Sequence, residues 1–262
     1  MRVLPIGKVA LTAALLGIAG PVAAAGCQVR SLPYRVSVLE LYTSEGCSSC
    51  PPADRWLSAL PQRGIDSTKL IALAFHVDYW DQLGWPDRFS QARFSERQRL
   101  IADRIGSGVI YTPQLVLDGR DLRMLGGMEK LQKTLASRER PGAQLEVSVE
   151  ALRSELSVSA HVSVNDTGLR NQAQVWIAVL ENGLSSKVAR GENAGRELHH
   201  DFVVRELAGP FALDTNGQAQ VKHAVRTSAD WNLANVSIAV FVQRKDNGEY
   251  LQATLAPPAC TS

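Results

Sequence analysis

The chain has 262 residues, of which 45% are hydrophobic, 21% charged and 6% aromatic, a globular composition that excludes a collagenous, disordered or polytopic membrane protein. Its 28 Lys and Arg exceed its 26 Asp and Glu by two, and two cations, Arg2 and Lys8, lie in the first 26 residues, which hold no acid. The remainder balances at 26 against 26, so there is no basic excess to grip nucleic acid or anionic lipid, and neither is expected as a partner.

Residues 1–26 have the layout of a secretory signal: a basic start from Met1 to Lys8, an apolar run from Val9 to Ala19, a break at Gly20-Pro21, and small residues Ala23 and Ala25 before a cleavage point. The apolar run is short for a membrane span, and no later stretch reaches the roughly 18 apolar residues that one needs, so no transmembrane helix is expected. A periplasmic or secreted location follows. Ala24-Ala25-Gly26-Cys27 also resembles a bacterial lipoprotein box, which makes a lipid anchor on Cys27 an alternative.

Export into an oxidising compartment permits disulfides. Four cysteines allow three pairings; the simplest joins Cys47 to Cys50, three positions apart, and Cys27 to Cys260 as a structural bridge between the two mature ends.

In chain order, Val36–Tyr42 reads as a strand, Thr43–Gly46 as a turn, and Pro51–Leu60 as a helix whose first turn accepts two prolines. Lys69–Phe75 is a second strand, followed by an aromatic and acidic loop, His76-Val77-Asp78-Tyr79-Trp80-Asp81-Gln82-Leu83-Gly84-Trp85, and a helix from Phe89 to Arg104. Thr112-Pro113 introduces a strand at Gln114–Leu117, Asp118-Gly119 turns it into a partner at Leu122–Leu125, and a last helix runs from Met128 to Arg138. After Pro141 the texture changes to seven short alternating runs, at Gln144–Glu150, Glu155–Val164, Ala173–Leu180, Leu198–Arg205, Ala219–Val225, Val236–Gln243 and Tyr250–Leu255. The expected fold is therefore an α/β domain over 34–140, ordered β-CxxC-α-β-α-Pro-β-β-α as in thioredoxin, followed by an all-β sandwich-like domain over 144–258.

Two cysteines at the mouth of a helix suit thiol exchange, because unpaired N–H groups and the helix dipole favour a thiolate there. In that reading Cys47 is the accessible nucleophile and Cys50 the resolving thiol. No second CxxC or Cys/His pair lies near enough to complete a four-ligand zinc site, and no metal or cofactor is expected. Pro113, preceded by Thr112, stands where thioredoxin-like folds place a cis-proline opposite the cysteines.

The runs from Glu40 through the Gly46-Cys47-Ser48-Ser49-Cys50-Pro51-Pro52-Ala53-Asp54 stretch, His76–Asp81 with Leu83-Gly84-Trp85, Tyr111–Gln114, Gly191–Arg196 and Val203-Val204-Arg205 closely resemble the exported bacterial family named domain of unknown function 1223. The resemblance covers nearly the whole mature chain. It implies a thioredoxin fold with a β-rich C-terminal part, and it implies no settled activity.

His76 and Asp78 close the second strand, where α/β domains place their sites. His76 is a candidate to shuttle a proton to Cys50, to ligate a metal beside the thiols, or with Asp78 to hold a turn, and Trp80 and Trp85 are candidates to wall a substrate groove or cover the core. Glu45 opposes a thiolate at Cys47. Pro51 disfavours helical geometry at Cys50, and His199-His200 read as strand and surface residues. Three functions remain open: thiol-disulfide exchange with an unknown exported protein or thiol, copper handling through Cys47, Cys50 and His76, or a noncatalytic binding module with a permanent disulfide.

Overall fold

Strands that are apolar along nearly their whole length bury both faces, and Leu70–His76 is buried at every position. The computed structural model describes Met1 and residues 27–123, 127–152 and 154–261. Apart from Met1, the expected signal segment at 1–26 lies outside the described residues. So does the end of the strand expected to reach Leu125.

The elements are β1 (Cys27–Arg30), β2 (Ser37–Thr43), α1 (Pro51–Ser58), β3 (Leu70–His76), α2 (Ala92–Arg104), β4 (Gln114–Leu117), β5 (Arg120–Leu122) and α3 (Gly127–Ala136). They are followed by β6 (Gln144–Leu152), β7 (Glu155–Ser163), β8 (Ala173–Glu181), β9 (Leu184–Lys187), β10 (Glu197–His200), β11 (Val203–Ala212), β12 (Gln218–Arg226), β13 (Val236–Arg244) and β14 (Tyr250–Ala256). The molecule is mixed α/β, mostly sheet with few helices. The region after residue 143 holds strands and short 3-10 turns. No described helix is long and apolar enough to cross a membrane.

Among the described residues three sheets form, ordered β1-β6-β7-β12, β10-β9, and β14-β13-β8-β11-β3-β2-β4-β5. Strands from both expected segments lie in the eight-stranded sheet. They meet where β11 runs parallel to β3 at Val203 and Ala74, and Ala74 N–H donates to the Phe202 carbonyl at 2.8 Å. Val38 and Tyr42 of β2, Ile71, Leu73 and Phe75 of β3, and Ala178 and Leu180 of β8 share one core with Phe94 and Ile101 of α2. The intervening residues of β2 and β3 face α1 and α3 through Leu57 and Leu131. On β8 they face the four-stranded sheet, with Val175, Ile177 and Val179 against Val147, Val158 and Val221.

The long sheet curls, bringing β14 back toward β2. Val36 N–H donates to Gln252 Oε1 at 2.9 Å, and Gln252 Nε2 donates to the carbonyls of Leu32 and Tyr34, each at 3.0 Å. Inside the curl, Arg97 of α2 donates through Nε to Glu40 Oε2 at 2.7 Å and through Nη2 to Tyr250 Oη at 2.9 Å. The hydroxyls of Tyr42 and Tyr250 each donate to Glu40 at 2.6 Å. Burial alone would push the Glu40 carboxyl up, but the Arg97 guanidinium outweighs it and holds the group below its ordinary range.

Four expectations change. Among the described residues the seven β-runs expected after Pro141 become nine strands. Leu198–Arg205, read as one strand, breaks at Phe202, whose φ of 59° turns the chain from the separate β9-β10 hairpin into the long sheet. Strands β1 and β9 are four residues each, too short for an alternation to stand out. Cys50 adopts helical φ and ψ of −78° and −39° in spite of Pro51, and its N–H donates to the Cys47 carbonyl at 3.2 Å.

Cys27 is bonded to Cys260. Its sulfur therefore has no free valence for the thioether of a lipid anchor.

Candidate functional site

The site grows out of the end of β2. Cys47 N–H donates to the Ser44 carbonyl and Cys50 N–H to the Cys47 carbonyl, each at 3.2 Å, so the loop winds directly into α1. Pro51 and Pro52 occupy the first turn, where a missing N–H costs nothing. The Cys50 carbonyl then receives Ala53 N–H at 2.8 Å and Asp54 N–H at 3.1 Å. Cys47 and Cys50 form a disulfide.

Beside this loop runs β4, paired with β2 through Tyr42 and Gln114. The next step of that antiparallel register sets Pro113 alongside Thr43, at the point where the cysteine loop departs. The Thr112-Pro113 peptide is cis.

Under the loop lies a cluster of five buried ionisable side chains, Glu45, Asp54, His76, Asp87 and His200. His76 Nδ1 is 2.6 Å from Asp87 Oδ2, and that same oxygen accepts Glu45 N–H at 2.9 Å. Thr43 Oγ1 donates to Asp54 Oδ1 at 2.9 Å. The His200 ring stands edge-on to His76, centroids 4.9 Å apart, with Nε2 at 3.3 Å from Glu45 Oε1 and Nδ1 at 3.8 Å from Asp54 Oδ2. Neither approach is aligned as a hydrogen bond, so among the described residues Glu45 Oε1 and both His200 nitrogens have no hydrogen-bond partner, nor does His76 Nε2.

Their chemistry follows from burial and charge. Desolvation pushes the Asp54 carboxyl above its ordinary range against the pull of His200 and His76. For His76, burial disfavours the cation, but the Asp87 carboxylate wins and raises its pKa. Burial, the largest effect, raises the Asp87 carboxyl, but the charge and hydrogen bond of His76 together with the N–H groups of Glu45 and Phe89 bring it below its ordinary range. The cluster thus combines an ion pair with an acid one helical turn after Cys50. Positions i and i+4 share a helix face, so Asp54 lies on the Cys50 side of α1.

The expected residues separate into two groups. Trp85 Nε1 donates to Glu45 Oε2 at 2.8 Å, and Trp80 backs the loop, its Cβ 3.4 Å from where a Gly46 side chain would begin. Asp78 instead turns to the start of α2, where Ser95 Oγ donates to its Oδ1; it is a turn-holding residue outside the cluster. Both cysteines are 0% exposed, whereas the intervening Ser48 and Ser49 are exposed.

Asp54, Asp87 and His200 are the site residues that sequence reading missed. The expectation that His199-His200 lie at the surface holds for His199 and fails for His200, since β10 alternates exposed, buried, exposed, buried. That alternation, and the i+4 spacing of Asp54 from Cys50, were the available signals. A broad surface cleft bordered by Arg30, Arg140, His161 and Gln220 lies elsewhere and includes none of these residues.

The family model described as "Protein of unknown function (DUF1223)" matches residues 38–243. The chain belongs to this family. Among solved structures, the crystal structure of protein AGR_C_4864 from Agrobacterium tumefaciens is 24% identical to this DUF1223 chain, covering 86% of it and 95% of its own length at a TM-score of 0.60. HBP35 of Porphyromonas gingivalis is 13% identical, with 86% and 76% covered and a TM-score of 0.66. At these identities the likeness is one of fold. No curated protein matches the chain.

Proposed function

We propose that this is an exported, thioredoxin-like protein that exchanges thiols and disulfides with a partner through Cys47 and Cys50. The observation that carries the reading is the position of the Cys47–Cys50 disulfide, at the first turn of an α-helix, on a loop that leaves β2 at the end where β4 begins after the cis Thr112-Pro113 peptide, and above a buried set of acids and histidines. Ionisable groups buried in such number are expensive to maintain and gather where protons must be managed. Two disulfides with no free cysteine among the described residues suit an oxidising compartment.

In the proposed reaction a partner thiolate attacks Cys47 Sγ, the Cys47–Cys50 bond breaks, and Cys50 leaves as a thiolate. Asp54, whose hold on a proton burial strengthens, supplies the proton that Cys50 takes up. When the partner carries a second thiol, its thiolate attacks the partner sulfur of the mixed disulfide and releases Cys47. Two electrons have then passed to this protein and the partner holds a disulfide. The same steps run in reverse reduce a partner.

A second reading, a noncatalytic module with a permanent disulfide, is favoured by one observation, the complete burial of both cysteines. The copper reading has less support. His76 Nδ1 is committed to Asp87, and among the described residues no three His, Cys, Asp or Glu side chains are arranged to hold a metal ion.

Equilibration with glutathione buffers separates exchange from permanence. A Cys47–Cys50 potential above about −300 mV is expected for an exchanging pair, and a lower one, resistant to the glutathione pool, belongs to a structural bond and refutes the proposal.

A further inference from the structure

The segment Gly191–Arg196 carries a motif of the sequence that the reaction above does not use, and it lies on the cysteine loop. It is the tip of the β9-β10 hairpin, which joins neither large sheet. The tip is folded on itself by Val188 N–H to the Arg196 carbonyl at 2.9 Å, Gly195 N–H to the Val188 carbonyl at 2.8 Å and Ala194 N–H to the Gly191 carbonyl at 3.1 Å. Gly191, with φ of 77°, nests against Trp85, and a Cβ there would stand 3.3 Å from the Trp85 Cβ.

From this tip two side chains reach the loop. Asn193, which is 0% exposed, donates through Nδ2 to the Glu45 carbonyl at 2.8 Å and to the Cys47 carbonyl at 3.0 Å. Its Oδ1 is held by Arg196 Nη1 at 2.9 Å. Glu192 accepts Ser48 N–H at 2.9 Å, an N–H whose pull keeps that exposed carboxyl below its ordinary range. One donor and two acceptors of the cysteine loop's backbone are thus occupied by side chains from a remote hairpin, over a disulfide that solvent does not reach.

We infer that Gly191–Arg196 is a strap that closes the Cys47–Cys50 site, and that exchange proceeds from a state in which Glu192 and Asn193 have released the loop. The inference rests on the exchange reading above and explains how buried sulfurs meet a partner. Releasing the strap exchanges side-chain bonds for bonds that water or a partner's main chain supplies to the same three groups, so opening leaves no loop polar group unpaired. Because β9 and β10 pair only with each other, the tip can lift without breaking a ladder of either large sheet.

The test compares the rate at which dithiothreitol reduces the Cys47–Cys50 bond in the full chain, the Cys27–Cys260 bond intact, for wild type, Asn193→Ala and Glu192→Gln. Loss of two buried hydrogen bonds in Asn193→Ala is expected to speed reduction by about tenfold or more, and loss of the single charged contact in Glu192→Gln by about threefold. Amide hydrogen exchange at Ser48 is expected to quicken in both while the amides of β2 keep their protection. Wild-type rates in both variants would overturn the strap, as would faster reduction accompanied by equally faster exchange throughout β2, which marks general loosening. Failure of the exchange reading shows separately, in the glutathione equilibrium, which depends on no rate.

Discussion

Replacing Arg97 by alanine is expected to cost about 3 to 5 kcal/mol, because it strands the Glu40 carboxylate without its ionic partner in the interior. Glu40 is 0% exposed. The two tyrosine hydroxyls would remain, but neutral donors do not replace a guanidinium held at 2.7 Å. Arg97 also links elements far apart in sequence, since its Nη2 reaches Gln243 Oε1 at 3.2 Å as well as Tyr250. Its loss therefore loosens α2 from β2, β13 and β14 together.

The pH dependence gives this prediction a sign. In the wild type the Glu40 pKa lies below its ordinary 4.5, so its contribution to stability is present above that value and is lost as the pH falls through the depressed one. In Arg97→Ala the two tyrosine hydroxyls still pull the Glu40 pKa down, but burial, the largest effect, is no longer opposed by the guanidinium and raises it, so the variant folds best with Glu40 protonated. The gap between wild type and variant should therefore be widest near neutrality and shrink toward about pH 4. Urea unfolding at both pH values checks it. Equal cost at the two, or a cost below about 1 kcal/mol at neutrality, would mean that the buried pair is replaceable by its neutral neighbours. The double variant Glu40→Gln with Arg97→Met, which removes both charges, should recover much of the loss.

The second large effect belongs to Cys27 and Cys260, separated by 233 positions. Closing a loop of that length removes unfolded-chain entropy worth about 5 kcal/mol in the chain-entropy model. The Cys27→Ser, Cys260→Ser double variant is thus expected to lose up to about 5 kcal/mol of stability with its native packing unchanged. Cys260 packs against the core between the two sheets and β1 is laddered to β6, so the chain ends have other attachments. A loss below about 1 kcal/mol would show that those attachments already determine where the ends lie.

What sequence could reveal was local. The apolar runs of β2 and β3, the prolines opening α1 and the Asp118-Gly119 turn each declare an element within a few residues of its place. The joint of the long sheet is a different case, since it consists of β11 laid parallel to β3 at one position, Val203 beside Ala74. Nothing in either strand names the other. The curl that brings Tyr250 to Glu40 is equally silent, because it depends on the summed twist of the strands between them.

The site divides in the same way. The Cys47–Cys50 pair was legible from its spacing and the cis Thr112-Pro113 peptide from its place after the second helix, and the structure forms both. Asp54 was visible as a helix position and overlooked as a neighbour of Cys50. Asp87, His200, Glu192 and Asn193 enter through tertiary folding alone, although a buried histidine on a four-residue alternating strand left a faint trace at His200. Trp85 met neither expectation fully: it is half-buried and its indole N–H serves Glu45.

The strap and the cluster together account for a reactive bond that is closed at rest. Glu192 and Asn193 hold the outer side of the loop, and the acids and histidines lie beneath it. Cys47 Sγ is 3.3 Å from the Oγ of Ser49, an exposed residue, whereas Cys50 faces the helix side that carries Asp54. The strap holds the Cys47 carbonyl, so under the proposed reading its release frees the Cys47 side of the loop, the asymmetry that a nucleophile and a resolving thiol require.

The most direct measurement uses the two single-serine variants in their native state, Cys50→Ser leaving Cys47 and Cys47→Ser leaving Cys50, each reacted with oxidised glutathione. The account predicts that Cys47 forms its mixed disulfide at least about tenfold faster than Cys50 does. Equal rates, or no mixed disulfide at either position while the protein remains folded, would contradict it.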